Sequence, residues 1–295
     1  MNEGLSILIP VYNFDVTVLV RDIISQAEQF DYPWQLIVFE DGSEDKNADQ
    51  NRSVLKHEKC IHLIERKNSG RHQARITLAN EASYNYLLYL DADSGIIRND
   101  YISKYVDILP VEGIVYGGRR YPQTCGLLPD YHLHCEYGHQ REALEVGNRK
   151  RRPYLSFQTN NFLVPKAHML LTSSFEEISL YGHEDTLMGV FWKKYSISIS
   201  HIDNPVLHNY LHTHKEFLDK QIESIKSLIN ISEKHGNLDV RLAVVGDRIK
   251  KWGLKSIVLS GLNLFEKRFR KNLKKNPEKL FALDALKLQF YLKNI

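Results

Sequence analysis

Two acids one residue apart, Asp91 and Asp93 in Asp91-Ala92-Asp93, stand at the end of the apolar run Tyr86 to Leu90. An apolar run that closes on alternating carboxylates reads as a buried strand delivering acid side chains to its C-terminal mouth, where open α/β sheets bind ligands. Hard oxygen donors suit a divalent cation, and a cation at that place suits a reaction at a diphosphate. A second acidic pair, Glu184-Asp185, follows Gly182-His183. A carboxylate can take the proton of a hydroxyl while that oxygen forms a new bond. Each pair also has a bland reading, because acids are common in solvated turns and at helix starts.

Such side chains need elements that hold them. Strand and helix signals alternate through the first 120 residues, the pattern of βαβ units around a mainly parallel sheet. Strands are expected at Ser6 to Pro10, Gln35 to Phe39, Ile61 to Glu65, Tyr86 to Leu90 and Gly113 to Tyr116. Val16, Leu19, Val20, Ile23, Ile24 and Ala27 fall on one helical face between the first two. Further helices are expected near Asp45 to Lys56, Ser69 to Ala82, Asp100 to Leu109 and Thr186 to Lys194, and a late strand at Ile197 to Ile202. Topology then puts four loops on one sheet edge: Tyr12-Asn13, Glu40 to Ser43, Lys67 to Gly70 and Asp91 to Ser94.

The segments SILIPVYN (Ser6 to Asn13), VFEDGS (Val38 to Ser43), NSG followed by Arg71 and Arg75, LYLDADSG (Leu88 to Gly95) and GHED (Gly182 to Asp185) run in this order over about residues 5 to 210. Together they resemble the bacterial family 2 glycosyltransferases of the GT-A fold. The resemblance implies a Rossmann-like, mainly parallel α/β sheet flanked by helices, with a helical C-terminal extension. It implies a metal-dependent inverting transferase that moves a sugar from a nucleotide donor, UDP-linked, to a hydroxyl of a glycan or lipid-linked glycan. By the same resemblance, Pro10, Tyr12, Asn13, Asp41, Arg71, Asp91 and Ala92 would bind the nucleotide. Asp41 can accept the imide N–H of uracil, and Tyr12 offers a ring to the base. Arg71 and Arg75, four apart on one helical face, can reach the diphosphate or the base from the same side. Asp93 would ligate Mn²⁺ or Mg²⁺, with Asp91 on the ribose or a metal-bound water, and His208 would complete the metal shell, which favours Mn²⁺. Asp185 would be the general base, with Glu184 on an acceptor hydroxyl. The Gln-x-x-Arg-Trp sequence of processive synthases is absent, so a single addition is expected.

Composition bounds these expectations. At 295 residues, 43% hydrophobic and 25% charged, the chain can bury a full core. It carries nothing like a secretory signal and no run near the roughly 18 apolar residues of a membrane span, so a cytoplasmic place is expected, extending to the cytoplasmic face of the membrane. The three cysteines, Cys60, Cys125 and Cys135, are expected as reduced thiols, and their spacing with His132, His134 and His139 matches no zinc pattern. Residues 1–212 are expected as the GT-A domain, split at 116/117 into a nucleotide half and an acceptor half, and 213–295 as a basic extension. The stretch 117–152 looks irregular; it carries Arg119 and Arg120, and the run Arg149 to Arg152 could grip an acidic acceptor or the diphosphate.

Charge is uneven. From Arg241 to Ile295 there are 14 Lys/Arg against 4 Asp/Glu, a local charge of +10 within a net +3. Phe265, Phe269 and Leu273 stand among these cations, the make-up of an element that could meet an anionic membrane surface, with nucleic acid ranked lower. Three alternatives to the leading reading stay open. One is a retaining transferase on the same fold. Another is a nucleotidyltransferase, against which the lack of a Gly-rich loop after the first strand counts. The third is a non-catalytic lipid or nucleic-acid binder that uses the tail.

Overall fold

In the computed structural model the described residues are 2–175, 182–236 and 238–295. Strands are β1 (Asn2–Val11), β2 (Trp34–Asp41), β3 (Cys60–Glu65), β4 (Tyr84–Leu90), β5 (Ser94–Gly95), β6 (Ile114–Tyr116), β7 (Arg119–Arg120), β8 (Asn161–Pro165), β9 (Ile199–His201) and β10 (Val206–His208). Helices are α1 (Thr17–Ala27), α2 (Asp45–Arg52), α3 (Arg71–Glu81), α4 (Ser103–Val106), α5 (His132–Tyr137), α6 (Val146–Lys150), α7 (Lys166–Leu170), α8 (Glu184–Lys194), α9 (His214–His235), α10 (Arg241–Lys251), α11 (Lys255–Lys275) and α12 (Phe281–Asn294).

The described residues fall into two compact units. The first comprises Met1–Arg120, Leu144–Glu177 and Phe191–Tyr210, and the second Tyr121–Ala143, Ile178–Val190 and Leu211–Ile295. The expected boundary at 212/213 lies close to the division after Tyr210, whereas 121–143 groups with the C-terminal helices. Leu133 of α5 explains that grouping, since it is buried in one apolar cluster with Phe217, Leu273, Leu280 and Leu283.

In the first unit, seven strands lie in the order β3-β2-β1-β4-β8-β6-β9, and a small sheet has the order β5-β10-β7. The pairs β1–β2, β2–β3 and β1–β4 are parallel, while β8 runs antiparallel to β4 and β6. Strands β1 and β2 are buried along nearly their whole length, which is why they read as continuous apolar runs instead of alternating ones. Their core is Leu5, Ile7, Ile9, Leu36, Val38, Leu88 and Leu90, closed from one side by Val16 and by Leu19, Val20 and Ile23 of α1. Strand order reverses between β1 and β4. The C-terminal ends of those two strands therefore form a topological switch point, where a crevice opens.

Most expected elements lie within two residues of their observed bounds. The helix expected over Asp100 to Leu109 is a correction: only the single turn Ser103–Val106 is helical. The stretch 117–152 is also more ordered than expected. It holds β7, a 3-10 turn at Gln123–Leu127, α5, a π turn at Gly138–Glu142 and α6. None of these exceeds six residues, too short for a helical periodicity to register in sequence. A third correction concerns the thiols. The 3-10 turn and α5 bring Cys125 and Cys135 to a Cα separation of 5.9 Å, and they are joined as a disulfide, while Cys60 is free. His139 approaches the same place, with Nε2 3.8 Å from Cys125 Sγ.

Arg149 is not a surface cation able to grip an anion. It is buried, and its guanidinium donates to the carbonyls of Leu144, Tyr116, Gly117 and Ile202. A buried arginine spent on four carbonyls splices backbone segments and has little left for a ligand.

Candidate active site

The exit of β1 is tied to that of β2 by Asn13. Its backbone takes φ 50°, a left-handed value that Asn tolerates, and its Oδ1 accepts the backbone N–H of Glu44 at 2.7 Å. Its own N–H donates to Ser43 Oγ at 2.9 Å. Tyr12 beside it is 58% exposed, so its ring is open to a ligand and is not core packing. Pro10 is the penultimate residue of β1, paired with Phe39 of β2.

Asp41, at the end of β2, is buried and already accepts three hydrogen bonds. Oδ1 takes the backbone N–H and the hydroxyl of Ser69, each at 2.7 Å, and Oδ2 takes the N–H of Gly70 at 3.1 Å. The carboxylate thus folds the Asn68-Ser69-Gly70 loop around itself. Gly42 next to it has φ 80°, and a Cβ there would lie 2.5 Å from the backbone nitrogen of Asn68, so the close approach of the two loops requires glycine. The neighbouring acid Glu40 has a structural task. It accepts from Asn51 Nδ2 at 2.8 Å and contacts His62 at 3.3 Å inside the domain.

At the end of β4, Asp91 and Asp93 diverge. Asp91 Oδ1 accepts from Arg75 Nη2 at 2.8 Å. Arg75 projects inward from α3 and is fully buried, so it is no solvated helical face, while Arg71, one turn earlier, is exposed. Asp93 instead meets His208, with Oδ2 3.2 Å from Nδ1. The small sheet enforces that meeting: His208 of β10 is opposite Ser94 of β5, and the backbone N–H of Asn209 donates to the carbonyl of Asp93 at 2.9 Å. Burial pushes the Asp93 carboxyl up, but His208, Arg119 and Arg71 together outweigh it and hold the group below the usual carboxylate range. The exit of β4 thus gathers a carboxylate, an imidazole and two guanidiniums within reach of one another's charge. Ala92, between the two acids, is half-buried and packs against the core.

Arg119 is a residue whose role was not read from sequence. Its signal is Gly117-Gly118 after β6, which lets the chain turn into β7 and set Arg119 opposite Val206 of β10, two residues from His208.

Glu184 and Asp185 belong to the second unit and open α8. The turn before them has two consecutive left-handed residues, Gly182 at φ 95° and His183 at φ 63°. It is anchored on α9, where the Ser227 hydroxyl donates to the Gly182 carbonyl at 2.7 Å. A Cβ on Gly182 would lie 2.7 Å from Ser224 Oγ, so the turn is also sterically pinned. Asp185 Oδ1 accepts the N–H of Thr186 at 2.7 Å, which orients the carboxylate at the helix start. Burial, with the charge of Lys287 adding to it, pulls His183 down to about 4. Lys287 itself is drawn down to about 8 by burial and donates to Gln221 Oε1 at 2.7 Å. Tyr181, expected in the same lead-in, lies outside the described residues.

The sheet order, mostly parallel with its reversal between β1 and β4, is that of a Rossmann-like α/β fold of the GT-A kind. The chain belongs to glycosyl transferase family 2, whose family model matches residues 6–179. The undecaprenyl-phosphate 4-deoxy-4-formamido-L-arabinose transferase of Pectobacterium carotovorum subsp. carotovorum (strain PC1) is 30% identical over 97 residues, 31% of this chain and 29% of that protein. The corresponding transferase of Proteus mirabilis (strain HI4320) is 30% identical over 92 residues, 30% of this chain and 28% of that protein. The match thus spans less than a third of the length of these curated relatives. Among solved structures, a mannosyltransferase from Pyrobaculum calidifontis in complex with GDP-Man and Mn²⁺ has a TM-score of 0.59 at 12% identity, covering 99% of this chain and 86% of that one. Mannosyl-3-phosphoglycerate synthase from Rubrobacter xylanophilus has a TM-score of 0.55 at 16% identity, covering 81% and 77%. At these identities the likeness is one of fold. The chain thus carries a glycosyl transferase family 2 domain of the GT-A fold, and no helix among the described residues is long and apolar enough to cross a membrane.

Proposed function

We propose that this protein is a divalent-metal-dependent inverting glycosyltransferase that moves a sugar from a UDP-linked donor to a hydroxyl of a glycan or lipid-linked glycan. The observation that carries the proposal is the Asp93–His208 pair. An oxygen and a nitrogen 3.2 Å apart fit two ligands of one octahedral cation, which stand about 3 Å from each other. The mixed O/N set favours Mn²⁺ over Mg²⁺. When bound, the ion would neutralise charge on the departing diphosphate.

This chain's own residues do the remaining work. Arg71 and Arg119, which already lower Asp93 by their charge, are placed to attract the diphosphate. Asp91, steered by Arg75, takes a ribose hydroxyl. Asp41 has fixed the Asn68 to Gly70 loop and offers its remaining lone pairs to the uracil imide, while Tyr12 covers the base. Asp185 takes the proton of the acceptor hydroxyl as its oxygen attacks the anomeric carbon, and Glu184 holds a neighbouring hydroxyl. The curated relatives are named for undecaprenyl phosphate, which supports an acceptor carried on lipid.

The test is a panel of UDP- and GDP-sugars incubated with Mn²⁺, scored by nucleoside diphosphate release, followed by NMR of the transferred linkage. UDP-sugar turnover abolished by EDTA, with inversion at the anomeric carbon, is expected. Turnover untouched by EDTA would overturn the metal assignment, and a retained configuration would overturn Asp185 as base.

A further inference from the structure

Helix α11 carries a feature that sugar transfer does not use. Its inward face is Val258, Leu262, Phe269 and Leu273, half-buried or buried, and Phe269 and Leu273 join the apolar cluster with Phe217, Leu280 and Leu283. Its single acid, Glu266, accepts from Gln289 Nε2 at 2.9 Å and from Arg270 Nε at 2.9 Å, so the negative charge is neutralised beside α12.

The opposite face is a straight line. Ile257, Gly261, Leu264, Arg268, Lys271 and Lys275 follow one another at alternating steps of four and three, which keeps them on one side of a helix. All six are exposed, Ile257 at 71% and Leu264 at 78%. The line changes character along its length. Its first half is aliphatic and is widened by Leu254 and by Trp252, which is 65% exposed at the end of α10. Its second half is cationic and is widened by Lys267 and Lys274. From Ile257 to Lys275 it runs about 27 Å at the rise of an α-helix.

We propose that this stripe seats the protein on an anionic lipid bilayer, the aliphatic half entering the headgroup region and the cationic half meeting lipid phosphates. Two other occupants fit less well. Single-stranded nucleic acid grips through successive aromatic platforms on which bases stack, whereas the stripe itself holds the aliphatic Ile257 and Leu264, with the exposed rings of Trp252 and Phe265 beside it and none within it. A second copy of this chain would bring a second +10 region against the first, and like charges across an interface repel. An anionic surface supplies both the apolar layer and the opposite charge.

The experiment uses the full chain in vesicle flotation, with phosphatidylcholine vesicles compared against vesicles about a third phosphatidylglycerol. Binding to the anionic vesicles and not the neutral ones is expected, falling as salt rises. The double substitution Ile257→Glu and Leu264→Glu, and separately Lys271→Glu and Lys275→Glu, should each weaken it at least about tenfold. All four side chains are exposed, so both variants should keep the parent melting temperature and donor turnover without vesicles. Equal binding to neutral vesicles, binding unchanged in either variant, binding to RNA in preference to anionic vesicles, or a dimer that the Glu pair dissolves would each overturn the proposal. Donor turnover is scored separately, so failure of the glycosyltransfer reading and failure of the membrane reading give different results.

Discussion

Asp93 and His208 meet at 3.2 Å across 115 residues of sequence, because β5 and β10 pair antiparallel with Ser94 opposite His208. A backbone ladder carries the contact, so the two side chains are aligned before any ligand arrives, and the pair can be tested as a unit.

His208→Ala should weaken Mn²⁺ binding by roughly 10- to 100-fold while leaving the fold intact, since His208 is the last residue of a short strand in the small sheet. Titration of Mn²⁺ followed by electron paramagnetic resonance reads this without turnover. Asp93→Asn should remove binding further. Unaltered Mn²⁺ affinity in both variants would remove the pair from the metal site.

Arg75 and Asp91 give the opposite kind of prediction. Arg75 is buried and its partner is partly buried, so Asp91→Asn takes away a carboxylate that lies 2.8 Å from a guanidinium inside the domain. The loss should be about 2 to 3 kcal/mol of unfolding free energy, below the upper range for wholly buried pairs because Asp91 reaches solvent. Urea denaturation in the absence of nucleotide measures it. Unchanged stability would mean that the contact positions Asp91 without holding the fold.

Asp185→Asn should cut transfer about 10²- to 10⁴-fold, while UDP binding by calorimetry stays near the parent value. The amide can still accept the Thr186 N–H that orients this side chain, so the α8 start should persist. A variant with full turnover would end its assignment as base.

Acid should destabilise the protein through two histidines. Burial lowers His183 and His201 to about 4 from an ordinary value near 6.5. Between those values the unfolded chain binds the protons and the native chain does not, so stability is full above about pH 6.5 and is lost as pH falls toward 4. Melting temperature across pH 7 to 4.5 should show the slope. His201→Gln, which retains a donor for the Pro153 carbonyl that His201 Nε2 meets at 3.0 Å, should flatten part of it. An identical slope in that variant would exclude His201 as a source.

Much of the scaffold could be read from local pattern. The runs around Ile7, Ile37 and Leu88 are continuous and apolar because both faces of those strands are covered, and the polar residues after each run mark the mouth. Asp91 and Asp93 were legible for the same reason, being attached to the end of such a run. Short elements were not, and α5 and the turns around it fall below the length at which periodicity shows. The pairing of Cys125 with Cys135 was likewise invisible, since neither spacing nor number distinguishes a thiol from half of a disulfide.

The sequence by itself determined the α/β alternation, the four mouth loops and the acids that end them, because each depends on residues within one strand or helix. Tertiary structure decided what those acids do. Burial on α3 turned Arg75 toward Asp91, the Asn68 to Gly70 loop wrapped Asp41, and the β5–β10 ladder delivered His208 to Asp93 with Arg71 and Arg119 near enough to hold it charged. Arg119 and Arg149 look alike as basic residues in one stretch. One reaches the Asp93 field and the other is consumed by backbone carbonyls. Charge and hydrogen bonding act through distance and burial, and neither is a property of position along the chain.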